Sequence, residues 1–150
     1  EQVKSAILPL AHLIHTDDET VLEHACEALS HLTCGEMDMK QAVIDAGVFP
    51  RLFELLPRFR HQHFLGLVVR RYYSIPNFLC PALCIVGNII SYVDDTQIQV
   101  IIDNGYLPRL GKFLTLNNDF KGIEYDDSIN EATCHIISNI VGRTKDHIQV

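Results

Sequence analysis

Hydrophobic positions in this chain recur with helical spacing from end to end, and the pattern itself repeats. The stretch Ala42–Leu56, AVIDAGVFPRLFELL, is matched by Val100–Leu114, VIIDNGYLPRLGKFL, with seven of fifteen positions identical and no gap. The shared residues are Ile44/Ile102, Asp45/Asp103, Gly47/Gly105, Pro50/Pro108, Arg51/Arg109, Leu52/Leu110 and Leu56/Leu114. In each copy apolar residues at three- and four-residue spacing stop at a glycine, and a proline follows three residues later. That order predicts a short helix, a sharp corner and a second helix, because a proline in the first turn removes an N–H that would lack a partner anyway. Weaker echoes flank the pair: Leu8-Pro9 lies 41 residues before Pro50, and Ile148-Gln149-Val150 repeats Ile98-Gln99-Val100. A unit recurring at roughly 40 to 60 residues predicts a stack of repeats that bury their apolar faces against one another.

The remaining helices follow from the same periodicity. Residues 3–15 carry an apolar helical stretch. Thr16-Asp17-Asp18-Glu19 has the spacing of a capping box, so the next helix is expected to run to about Cys34, with Gly35 as a left-handed C-cap. At about 100° per residue, Leu22, Ala25, Cys26, Leu29 and Leu32 share one face, and Glu27 and His31 fall opposite. A corresponding third helix recurs at Pro81–Ile90, PALCIVGNII, and at Glu131–Val141, EATCHIISNIV, with Ser128 and Glu131 at capping-box spacing and Gly142 as a stop. Each third helix carries two residues four positions apart that are expected to point away from the apolar face: Glu27/His31, Cys84/Asn88 and His135/Asn139. Stacked units would line these pairs up along a groove.

The organisation expected is therefore a partial unit over about 1–35, a unit over 36–93, a unit over 94–142 and a partial unit over 143–150. Spacing is uneven, since Pro50 and Pro108 are 58 residues apart. The excess lies in 57–80, PRFRHQHFLGLVVRRYYSIPNFLC, with four arginines, no acidic residue and no clean helical period. A smaller insertion covers 117–127. Both are expected to be loops or poorly ordered segments.

Composition narrows the function classes. With 47% hydrophobic and 21% charged residues the chain has the make-up of a globular protein. Its longest uninterrupted apolar run, Phe78–Gly87, is about half of what a membrane-spanning helix needs. A net charge of −7 argues against general nucleic-acid binding and allows a basic partner. Five cysteines, an odd number, fit reduced thiols better than a disulfide framework, and Cys26 and Cys134 read as small core residues. His61, His63, Cys80 and Cys84 are metal-compatible residue types at a spacing that matches no compact zinc module. Arg58, Arg60, Arg70 and Arg71, interleaved with Phe64, Tyr72 and Tyr73, read as a solvated segment rather than an RNA-binding surface, and Phe64–Val69 as an aggregation-prone stretch if exposed. No phosphate loop, nucleophile motif or pocket-directed carboxylate pair is present, so no enzyme and no cofactor is expected.

The residues quoted also carry a resemblance. Leu22–Leu32 (LEHACEALSHL), Gln41–Leu56, Ala82–Ile90 (ALCIVGNII), Asp94–Leu114 and Glu131–Ile140 are similar, in the same order, to the armadillo repeats of importin-α, over roughly two-thirds of the chain. The resemblance implies an all-α armadillo-repeat solenoid, a right-handed superhelix, in a stretch between the family's two cargo sites and partly overlapping them. It implies an adaptor that holds basic nuclear-localisation-signal peptides for import, in the cytoplasm and nucleus. Importin-β would bind only through an amino-terminal segment outside these residues. In the family, Trp-x-x-x-Asn on each productive third helix grips the peptide: Asn bonds its backbone, and Trp stacks on Lys or Arg, worth about 1 kcal/mol.

Carried over, the Asn positions are His31, Asn88 and Asn139, and the Trp positions are Glu27, Cys84 and His135. The chain has no Trp, so half of the contact chemistry is missing, although Glu27 offers a cation an opposite charge. The 57–80 segment is also foreign to the family and is what read-through of non-coding sequence would produce. Two alternatives stand beside the import reading: a protein–protein interaction scaffold that kept the fold without the cargo chemistry, and a degenerate copy without binding.

Overall fold

A computed structural model describes residues 2–64, 78–115 and 127–143. After a 3-10 turn at Lys4–Ala6, the helices are α1 (Ile7–Leu13), α2 (Glu19–Cys34), α3 (Met37–Asp45), α4 (Phe49–Phe64), α5 (Leu79–Ile90), α6 (Asp95–Asp103), α7 (Tyr106–Thr115) and α8 (Asp127–Arg143). The described residues contain no strand. The fold is an all-α armadillo-type solenoid, in which α3–α4–α5 and α6–α7–α8 repeat one order of short, second and third helix. No helix among the described residues is long and apolar enough to cross a membrane.

The corners show why the repeated stretch folds the same way twice. Gly47 and Gly105 stand at φ 71° and 69°, a left-handed conformation that a side chain disfavours and glycine does not. Their N–H groups donate to the carbonyls of Ile44 and Ile102, both at 2.9 Å. Just before each corner Gln41 Nε2 donates to Asp45 Oδ1 and Gln99 Nε2 to Asp103 Oδ1, both at 2.8 Å. These i,i+4 pairs lie one helical turn apart. The repeat is thus written in backbone and side-chain bonds alike.

Three local expectations are corrected. Gly35 is not a left-handed cap: it is extended, at φ −83° and ψ −150°. Glu36, the N-cap of α3, is extended too, so two extended residues join α2 to α3. The capping box at Thr16–Glu19 does not form either. Asp18 is the cap, accepting from the N–H groups of Thr20 and Val21 at 3.0 and 3.1 Å, while Thr16 Oγ1 accepts from the N–H of Asp18. Glu19 is then the first helical residue and cannot reach back three positions. Likewise α8 starts at Asp127, which puts Ser128 inside its first turn. A capping box does form at α6, where Asp94 and Gln97 bond each other's backbone N–H groups.

The described ends of the segment expected to be a loop, 57–64 and 79–80, are helical. α4 runs on to Phe64 and α5 begins at Leu79. Pro57 costs α4 one backbone donor, which is a penalty and not a prohibition. Residues 65–77, 116–126 and 144–150 lie outside the described part, and with them most of both insertions and the last partial unit.

The core runs along the stacked third helices. The most extensive packings are α2 against α5 and α5 against α8. As the middle member, α5 is apolar nearly all round: Leu79, Ala82, Leu83, Ile85, Val86, Ile89 and Ile90 are buried. A helix flanked on several sides carries no wide polar face, which explains the near-continuous apolar sequence there. At Gly87 α8 packs close against α5: a Cβ there would stand 3.4 Å from Ile136 Cγ1, an ordinary van der Waals contact.

Candidate peptide-binding face

Stacking the third helices decides where the six candidate residues lie. Glu27 and His31 are exposed on α2, Cys84 and Asn88 are half-buried on α5, and on α8 His135 is exposed and Asn139 half-buried. Within each pair, four-residue spacing places the side chains one turn apart on one face. Glu27 Oε2 lies 3.6 Å from His24 Nδ1, an exposed contact of the kind that contributes little.

The two asparagines are tied into the stack. Asn88 Nδ2 donates to Thr33 Oγ1 at 3.2 Å and to Cys34 Sγ at 3.3 Å, both at the end of α2. Asn139 Nδ2 donates to Ser91 Oγ at 3.3 Å, just past the end of α5, and stands 3.3 Å from Nε2 of His135. Each asparagine therefore bonds the end of the third helix before its own. Cys34 and Ser91 hold the same register, three residues after His31 and after Asn88.

Cys84, on the middle of the three stacked helices, sits among thiols. Burial is the main reason that its pKa rises from the ordinary 9.0 to about 11; Cys80, which is hydrogen-bonded to it, and Cys34 add to the rise. None of the three is in a disulfide. Among the described residues no three His, Cys, Asp or Glu side chains converge as a metal-binding set. Cys26 belongs to the core: burial pushes its thiol up to about 12, against a smaller opposing pull from the Arg51 charge. Cys134 is exposed on α8, not a core residue as its helical pattern implied, because the face of α8 that packs inward is Ile129, Thr133, Ile136 and Ile140.

Thr33, Cys34 and Ser91 escape a reading that looks only for the recurring pair. A signal is present for two of them, since Cys34 and Ser91 both stand three positions beyond the asparagine register, whereas Thr33 stands two beyond it. Arg143 does related work at the next level. Its guanidinium donates to the Ile90 carbonyl at 3.1 Å and lies 3.4 Å from Asp95, fastening the end of α8 to the end of α5 and the start of α6.

Comparisons with known proteins agree with this geometry. Residues 1–34 match the Armadillo/beta-catenin-like repeat family. Importin subunit alpha-1a of Oryza sativa subsp. japonica is 44% identical over 149 residues, which is 99% of this chain and 24% of that protein. Importin subunit alpha-1b of the same organism is 46% identical over 124 residues, 83% of this chain and 20% of that protein. The chain thus spans about a quarter or less of the length of these relatives. Among solved structures, an engineered protein from the Northeast Structural Genomics Consortium superposes with a TM-score of 0.66 at 25% identity, over 92% of this chain and 47% of that one. With the helix order, the two glycine corners and the register of the third helices, these similarities place the chain in the importin-α family of armadillo-repeat proteins.

Proposed function

We propose that this chain is an importin-α-like adaptor module that holds basic nuclear-localisation-signal peptides of cargo proteins along its stacked third helices, for import from cytoplasm to nucleus. The observation that carries this reading is the shared register of Asn88 and Asn139, each half-buried and each bonded to the end of the third helix before it. Two amides fixed at the repeat spacing suit an extended backbone, whose own polar groups recur at regular intervals. The net charge of −7 favours a cationic ligand through long-range attraction. Importin-β would join through a segment beyond these residues, as in the family.

Affinity is expected to be weak. Stacking of Lys or Arg on Trp contributes about 0.5–2 kcal/mol per site, and this chain has no Trp. That absence favours a second reading, an interaction scaffold that kept the fold without the cargo chemistry. Calorimetric titration of the full chain with a lysine-rich signal peptide separates the two. The import reading expects saturable binding that the double variant Asn88→Ala/Asn139→Ala loses. No binding at millimolar peptide, or binding that the double variant leaves unchanged, sinks it.

A further inference from the structure

Three thiols gather where α2 and α5 meet. Cys34 Sγ, at the end of α2, lies 3.3 Å from Asn88 Nδ2. On α5, Cys84 stands one turn before Asn88 and Cys80 one turn before Cys84. The Cys80 and Cys84 thiols are hydrogen-bonded to each other, and each is only half-buried. Cys34 is near enough to act on Cys84 through its charge. Even so, among the described residues no three such side chains converge as a metal-binding set. What the helix builds is a pair of adjacent sulfurs, a dithiol.

We propose that Cys80 and Cys84 form a modification site, where a hydroperoxide joins the two sulfurs in a reversible disulfide. Nothing in this step depends on peptide binding. The Cys80 sulfur attacks one peroxide oxygen and the O–O bond breaks. Cys80 becomes a sulfenic acid, and the other half of the peroxide leaves with the Cys80 proton as water or an alcohol. The Cys84 sulfur then attacks the Cys80 sulfur. An S–S bond forms, and the displaced hydroxyl leaves as water with the Cys84 proton. The two thiols lose two electrons and the peroxide gains them. Cys84 acts second because burial holds its proton, with a pKa pushed up to about 11, and the thiolate is the attacking form.

Helix geometry makes the bond labile. Residues one turn apart have Cβ atoms about 5–6 Å apart, whereas a relaxed disulfide brings them to about 3.5–4.5 Å. Closing the bond therefore pulls on α5. Cys80 is its second residue, in the turn whose N–H groups have no partner within the helix, and Pro81 beside it has no N–H to lose. The end of the helix can yield while the buried turns after Cys84 stay packed. A strained, accessible disulfide is the kind that cellular thiols reduce.

Trypsin makes the bond readable. Residues 72–108 contain no Lys or Arg, so Cys80 and Cys84 fall in one peptide, 72–109, whereas Cys34 falls in another, 5–40. The test treats the reduced full chain with hydrogen peroxide, then digests it and weighs the peptides. Peptide 72–109 should lose the mass of two hydrogens, and millimolar reduced glutathione should restore it before digestion. Cys80→Ser and Cys84→Ser should each abolish the loss. In Cys84→Ser, Cys80 should remain a sulfenic acid that dimedone traps. A disulfide joining 5–40 to 72–109 overturns the assignment of the pair, because Cys34 would then be the partner. Oxidation that leaves 72–109 unchanged, or a bond that glutathione cannot reduce, overturns the site.

Phenylarsine oxide, which bridges paired thiols with loss of water, reads the pair without oxidation and without a variant that could fail to fold. The unaltered chain should take up one arsenical, carried on peptide 72–109 alone. Its absence from that peptide overturns the pairing.

Discussion

The ring of Phe53 lies flat on that of Tyr106, with centroids 3.9 Å apart and planes 7° from parallel. This stack joins α4 of one unit to the start of α7 in the next. Phe53 is fully buried, whereas Tyr106 is only half-buried and carries the Arg109 guanidinium 5.6 Å from its ring centre. Phe53→Ala should therefore cost about 3–5 kcal/mol, as expected for emptying a sealed aromatic site. Tyr106→Ala should cost less, because part of its surface stays wet. Urea unfolding of the full chain checks the order, and equal losses would mean that the joint is not where the units hold together.

Glycine substitutions should divide by backbone conformation. Gly47 and Gly105 have open space where a Cβ would sit, so their only objection to alanine is φ near +70°. Gly47→Ala and Gly105→Ala should each destabilise by about 1–2 kcal/mol. Gly111, inside α7, also faces open space but has no positive φ. Gly111→Ala should stabilise by about 0.5–1 kcal/mol through helix propensity and a less free unfolded chain. Thermal melts of the three variants should move in opposite directions.

Much of this fold was legible because Ala42–Leu56 and Val100–Leu114 carry their corners with them. A glycine followed three residues later by a proline imposes its geometry with little help from tertiary contacts. Gly35 misled for the converse reason: a glycine after a helix permits a left-handed cap without requiring one, and the neighbouring Glu36 gave the chain another route. The start of the 57–80 segment misled by its lack of a clean helical period, although α4 runs on through it to Phe64. The candidate pairs could be placed by register, but their partners could not, because Thr33 and Ser91 matter only once α2, α5 and α8 are stacked.

The repeated arginines show how far identity extends. Arg51 is buried and its Nε donates to the Ile14 carbonyl at 2.9 Å, satisfying a buried carbonyl at the end of α1. Its side chain also lies 3.4 Å from Glu54. Arg109, at the same place in the repeat, is exposed over Tyr106. Arg51→Met should cost about 1–3 kcal/mol by leaving a buried carbonyl unpaired. Arg109→Met should cost no more than about 1 kcal/mol, the worth of an exposed cation–π contact. Chemical denaturation decides between this ranking and equal effects from equal residues.

Thiol chemistry should rank the cysteines by burial. The thiolate is the reacting form, and Cys34 and Cys134 are exposed; they should be alkylated first near pH 8. Cys84, pushed to about 11, should lag, and its labelling rate should rise about tenfold per pH unit until it approaches that value. Cys26 has no exposed surface and is pushed to about 12, so it should react only through unfolding. Its raised value also carries a sign for stability. The folded chain holds that proton more tightly than the unfolded chain, whose ordinary value is 9.0. The contribution is complete below pH 9 and is lost as pH climbs toward 12. Alkaline unfolding followed by circular dichroism should thus be shallower in Cys26→Ala, once its lower starting stability is subtracted. An identical alkaline slope would show that Cys26 does not hold its proton in the folded core.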